Sequence, residues 1–258
     1  MIRTAVKIAY LGEHFSGSQI QPDCRTVVGD VLSDLKIITK LSEEDIDLKL
    51  ASRTDKGVNS LGNVAVFNSN IDDPDILLKA LNAVSKDIFY RSVAFVAEDF
   101  NPRFAEKRLY KYILRSDGMD MSAVMGCALL FSGEHDFRKF CKPNGKPTTL
   151  TLDPIVVHKE GDLIVLEFSA RYFLWNMIRR IVAATALVGE GHASLSDVKD
   201  ALNGKDITFG IARPDALTLV DVLYEDIEFI TPSADMFDKR VDEETFKDGI
   251  RNMFFTSL

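Results

Sequence analysis

Ala51-Ser-Arg-Thr-Asp-Lys-Gly-Val-Asn59 separates two apolar runs, and its reading decides how the first part of the chain folds. Alternation predicts strands at about residues 46 to 52 and 62 to 68, with this stretch as their connection. Its chemistry centres on Asp55, a carboxylate beside Arg53, Thr54, Lys56 and the helix-breaking Gly57. Two readings stand open. Neighbouring positive charge favours an ionised carboxylate that can act as a nucleophile. The same residues also describe a solvated strand-end turn with a surface ion pair.

Working outward, residues 2 to 10 alternate as a strand. Residues 27 to 37 carry Val27, Val28, Val31, Leu32 and Leu35 at helical spacing behind Thr26 as N-cap. Asp73-Pro74 supplies a cap and a first-turn proline for a helix to about residue 84, and a strand follows at 87 to 96. That order is β-α-β-β-α-β, the split βαβ pattern. It recurs as a strand at 107 to 115, a helix at 120 to 131, and strands near 150 to 158 and 162 to 170 joined at Glu160-Gly161-Asp162. A helix at about 174 to 188, an inserted helix at 195 to 203 and a strand at 217 to 224 complete the repeat. The expected class is α+β: two ferredoxin-like domains with antiparallel sheets joined around a central cleft. The first spans residues 1–104, and the second spans 105–258 with an acidic tail holding a short helix at 241 to 250.

The chain has 258 residues, 46% of them hydrophobic, enough for one large core or two ordinary ones. No run of 18 apolar residues spans a membrane, and MIRTAVKIAY reads as a strand rather than a leader. Three scattered cysteines fit a reducing cytoplasm better than a disulfide framework. The net charge of −8 is uneven. Residues 221 to 258 hold ten acidic and four basic side chains, a net −6, which leaves −2 on the preceding 220. Basic residues gather at Arg103, Lys107, Arg108, Lys111 and Arg115, at Arg138, Lys139, Lys142 and Lys146, and at Arg171, Arg179 and Arg180. Charge alone favours solvated faces, although converging clusters could bind a phosphate backbone.

Strand period puts Arg108, Tyr110 and Tyr112 on one face, where cations and rings could meet RNA; otherwise the tyrosines are half-buried sheet residues. Arg179 and Arg180 lie off the apolar stripe of their helix, as solvated arginines or as partners of a carboxylate. His135, in Gly133-Glu-His-Asp-Phe137, reads as a loop or cap residue. The histidines show no metal-ligand spacing and no phosphate-binding glycine motif occurs, so no metal and no cofactor are expected.

Several stretches together resemble the tRNA pseudouridine synthase TruA family: Tyr10-Leu-Gly-Glu-His-Phe-Ser-Gly-Ser-Gln19, Arg53-Thr-Asp-Lys-Gly-Val58, Asn101-Pro-Arg-Phe104, Arg108 with Tyr110-Lys-Tyr112, Gly133-Glu-His-Asp-Phe137, Phe173-Leu-Trp-Asn-Met-Ile-Arg179 and Ala212-Arg-Pro214. The resemblance implies Asp55 as catalytic aspartate, Tyr112 as active-site tyrosine and Arg179 as the aspartate's partner. Arg53, Lys56, Arg103, Arg108, Tyr110 and His135 become candidate tRNA contacts. It further implies a cytoplasmic homodimer gripping one tRNA and isomerising uridine at positions 38, 39 and 40 of the anticodon arm. Ser18, Asn59 and Leu109 depart from residues common in the family, where tryptophan, histidine and arginine occur.

Overall fold

The computed structural model describes residues 1–145, 147–232 and 234–256; Lys146 of the second basic cluster lies outside them. The first half runs β1 (Ile2–Tyr10), α1 (Val27–Thr39), α2 (Glu43–Ile46), β2 (Lys49–Leu50), β3 (Asn59–Ser69), α3 (Pro74–Val84) and β4 (Ile88–Phe95). The second runs β5 (Lys107–Arg115), α4 (Met121–Leu130), β6 (Gly133–Asp136), β7 (Thr149–Leu152), β8 (Val156–Glu160), β9 (Leu163–Ala170), α5 (Met177–Gly189), α6 (Leu195–Leu202) and β10 (Leu217–Leu223), and α7 (Asp238–Thr256) follows. The caps form as the sequence predicts: Thr26 accepts from the Gly29 amide and Asp73 from the Ile76 amide.

Among the described residues, eight strands form one sheet in the order β4-β1-β3-β10-β5-β9-β8, with β2 also on β3. Each half therefore has its strands in the same relative order, and the fold class is mixed α and β as expected. The two strand sets do not merely abut. β10 pairs in parallel with Asn59 and Ser60 at one end of β3, while β2 pairs with Val66 and Ala65 at the other. The same edge of β3 is thus shared, and residues 51 to 58 leave the sheet between its two partners. Gly62 permits the junction, because a Cβ there would stand 2.6 Å from the Val220 carbonyl oxygen. Lys7 Nζ then bridges both Asp221 oxygens at 2.6 and 2.8 Å across the seam.

Two apolar clusters follow the period of two along β3. Ala65 and Phe67 join Val6, Ile8, Leu35, Leu77 and Tyr90 beneath α1 and α3. Val64 and Val66 join the larger cluster of Tyr110, Tyr112, Phe168, Ile181 and Val182. The larger core therefore draws on both halves of the chain.

Three local expectations are corrected. The strand placed at 46 to 52 is a helical turn followed by only two paired residues. The strand at 150 to 158 is split at Asp153-Pro154: β7 pairs with β6 in a separate two-stranded sheet, and β8 joins the main one. Proline has no amide to continue a ladder. The helix expected from 174 begins at Met177, because Asn176 is left-handed at φ 62°.

Candidate active site

Residues 51 to 58 are held by groups that replace the lost sheet pairing. Asn63, fully buried in β3, accepts from the Ser52 and Val64 amides at 3.1 and 2.9 Å and donates to the Ser52 carbonyl at 2.9 Å. One side chain thus satisfies a departing backbone, which buried amides and carbonyls require. Ser18 clamps the next residues: its amide donates to the Thr54 carbonyl at 3.0 Å and its hydroxyl accepts from the Thr54 amide at 2.9 Å. The Tyr10 and Thr54 hydroxyls are hydrogen-bonded at 2.8 Å. Gly12 must lack a side chain, since its Cβ would lie 2.4 Å from the Gly57 carbonyl carbon. Asn59 accepts from the Gly12 amide and donates to the Asp215 carbonyl, both at 2.8 Å. Ser18 and Asn59, the two departures in these blocks, are therefore supports of the loop.

This scaffold presents Asp55 to a cleft of about 780 Å³ between the Asp55 loop, the segment 16 to 21 and the turn before α5. Arg179 reaches it from the opposite half. Its Nε donates to the Ala212 carbonyl at 2.7 Å, and its Nη1 stands 3.8 Å from Asp55 Oδ2. The separation gives an ion pair rather than a hydrogen bond. Arg179 is 14% exposed and Asp55 40%, so the carboxylate faces open space.

Arg53, Lys56, Arg103, Arg108 and Arg179 line the cleft, and Asp55 is the only acid among the described lining residues. A chain of net charge −8 thus carries a locally cationic groove, the arrangement that attracts a polyanion. The three basic clusters contribute unequally. Lys107 is paired with Asp153 at 2.7 Å and Lys139 with Asp206 at 2.6 Å, outside the cleft.

Arg108 is placed at the cleft but spends its guanidinium on the protein. It donates to the Ser52 hydroxyl and to the Ala51 and Arg103 carbonyls, each at 3.0 Å, and to the Arg171 carbonyl. Burial lowers its pKa. It ties the Asp55 loop to two other segments and is not free for phosphate.

The two tyrosines separate. Tyr110, buried edge-on against Phe173 at 5.2 Å between centroids, forms part of the cleft wall. Burial raises its pKa, opposed by Arg108 and a Ser52 hydrogen bond. It therefore remains a phenol at neutral pH. Tyr112, expected at the site, is buried outside the cleft wall, and its hydroxyl donates to the Arg213 carbonyl at 2.9 Å. His135 is not on the wall either. It lies in β6, with Nε2 3.0 Å from the Ser132 carbonyl oxygen and its ring edge-on to Phe137.

Among the described residues no three His, Cys, Asp or Glu side chains gather as a metal site, and no helix is long and apolar enough to cross a membrane.

The family described as tRNA pseudouridine synthase matches residues 127–225. The chain is 39% identical to "tRNA pseudouridine synthase A" of Pyrococcus abyssi over 98% of its own length and 97% of that protein. It is 38% identical to the protein of that description from Pyrococcus furiosus over 91% and 88%, and 37% identical to that of Archaeoglobus fulgidus over 89% and 86%. Among solved structures, one in a Cbf5-Nop10-Gar1 complex aligns with 85% of this chain and 50% of its own at 14% identity, with a TM-score of 0.38. Pseudouridine synthases, the class to which the family match and these relatives point, are isomerases. The chain belongs to the tRNA pseudouridine synthase A family.

Proposed function

We propose that the cleft isomerises uridine to pseudouridine in the anticodon arm of tRNA, at positions 38, 39 or 40, with Asp55 as nucleophile. The observation that carries this reading is the approach of Arg179 Nη1 to 3.8 Å from Asp55 in a groove whose other charged residues, among those described, are all cations. The target nucleotide leaves its stack at a cost of a few kcal/mol, and exposed Arg53 and Lys56 hold the adjoining phosphates. Asp55 adds to C1′ as N1 departs with the bonding pair; the uracil turns, and C5 then bonds to C1′ and expels Asp55. C5 loses its hydrogen to solvent and N1 gains one. A route through a ribose glycal uses the same aspartate after removal of the 2′ proton.

The aromatic role passes from Tyr112 to Tyr110. Its ring supports the uracil, and its hydroxyl moves a proton by accepting one as it passes its own on. Tyr110→Phe should lower the single-turnover rate at saturating tRNA by about 10²- to 10⁴-fold, the usual worth of such a group. Tyr112→Phe should cost about 1 kcal/mol of stability, for the lost bond to Arg213, and leave the rate within an order of magnitude. A large rate loss in Tyr112→Phe with little in Tyr110→Phe would return the role to Tyr112.

Binding should weaken steeply with salt, because Arg53, Lys56 and Arg103 displace counterions from phosphates. Arg103→Ala should reduce the slope of log affinity against log salt by about 0.7 to 0.9, one phosphate's share. An unchanged slope would remove Arg103 from the RNA contact. The reading includes a cytoplasmic homodimer of two domains, 1–104 and 105–258, and sedimentation of the purified protein tests the dimer.

Pseudouridine mapping in unmodified tRNA transcripts treated with the purified enzyme tests the assigned positions. Modification confined to 38, 39 or 40 is expected, and modification elsewhere alone would contradict the assignment.

A further inference from the structure

Trp175 is the chain's only tryptophan, and it is 46% exposed on the wall that also carries Asp55. It lies in the turn that the left-handed Asn176 closes before α5. The turn is fixed from outside: the Lys142 amide donates to the Trp175 carbonyl at 2.8 Å, and Lys142 Nζ stands 4.0 Å from the ring centroid. The indole thus rests against a cation and stays half-exposed instead of being folded into the core, although burying a ring of this size is strongly favourable. Tyr172, three residues earlier, is equally exposed on the same wall.

Half-exposed rings beside cations, with one acid among the described lining residues, match a strand of nucleotides better than a peptide or a small acid. Every base offers a face for stacking, and a lysine behind the ring supplies charge for the adjoining phosphate. We propose that Trp175, backed by Lys142, is the platform on which a base flanking the flipped uridine stacks. This rests on the tRNA reading above and adds to it a substrate-binding residue outside the catalytic group.

A single tryptophan makes the test direct. Emission excited beyond tyrosine absorption reports Trp175 alone, and unmodified tRNA transcript is titrated into the intact enzyme while binding is followed independently by gel shift. Saturable quenching that tracks binding is expected. Trp175→Leu, which keeps apolar bulk without a stacking ring, should weaken tRNA binding by about 5- to 150-fold, the range of base–aromatic stacking. Trp175→Phe should recover most of that loss. Thermal melts establish that both variants are folded; should the leucine variant fail to fold, the quenching and the phenylalanine variant still decide. Binding and pseudouridine formation without quenching, or tight binding by folded Trp175→Leu, would overturn the stacking role alone. A wild-type enzyme that neither binds tRNA nor forms pseudouridine would overturn the parent reading, and the platform with it.

Discussion

Asp55→Asn should abolish pseudouridine formation while leaving the fold and tRNA binding in place. The loop is held through backbone and neighbouring groups: the Ser18 clamp on Thr54, and the turn in which the Val58 amide donates to the Asp55 carbonyl at 3.1 Å. None of these bonds uses the Asp55 carboxylate. The substitution removes a pair with Arg179 in which Asp55 is 40% exposed, so stability should change by only about 0 to 1 kcal/mol. The amide keeps the shape but loses the charge and the nucleophilic oxygen. Turnover should fall by at least about four orders of magnitude, the scale seen when a covalent nucleophile is removed. Affinity for tRNA should hold or rise, because the only acid among the described lining residues has become neutral. Melting, gel shift and single-turnover assays on one preparation check all three.

Arg108→Met should give the largest loss of stability. Arg108 is 8% exposed, and its guanidinium satisfies the Ala51, Arg103 and Arg171 carbonyls together with the Ser52 hydroxyl. Methionine replaces the aliphatic stem and leaves those acceptors without a donor. The bonds to Ser52 and Ala51 are the fully buried ones; each buried unsatisfied group costs about 1 to 3 kcal/mol, so a total of roughly 2 to 6 kcal/mol is expected. For a chain of this size that is a fall in Tm on the order of 10 °C. Activity should drop further than the folded fraction, because Ala51 and Ser52 form the base of the Asp55 loop. Arg108→Lys should recover only part of both, since one ammonium lacks the planar fork that reaches several segments at once. A methionine variant melting with the wild type would show that the network contributes little.

The elements that read clearly from sequence are those whose local pattern and partners agree. Strand β5 alternates between buried and half-buried residues, and α1 and α3 start at Thr26 and Asp73, whose side chains do accept the capping amides. The run at 46 to 52 misleads because Ile46, Leu48 and Leu50 pack on the smaller core as strand residues would, while the bonding of Ser52 passes to the side chain of Asn63. A signal for this is Asn63 of β3, a fully buried polar residue at a strand position that β-propensity disfavours for it. Alternation correctly places Arg108, Tyr110 and Tyr112 on one buried face. It cannot say where along that face a cleft opens, which depends on the meeting of the Asp55 loop with the turn before α5. For the same reason the residues expected together from sequence separate: Asp55 and Arg179 meet at the cleft, while Tyr112 and His135 do not line it. The basic clusters show a further limit, because charge counts do not reveal that Lys107 and Lys139 are already paired and Arg108 consumed.

The central claim is that this cleft isomerises uridine through Asp55, and release of hydrogen from C5 tests it most directly. Forming the C5–C1′ bond displaces that hydrogen, so tRNA transcripts carrying tritium at C5 of uridine should release label to water as the reaction proceeds. The purified enzyme should release it from each modified site, and Asp55→Asn protein with tRNA bound should release none above background. No release by the wild type, or release by Asp55→Asn at a comparable rate, would contradict the account.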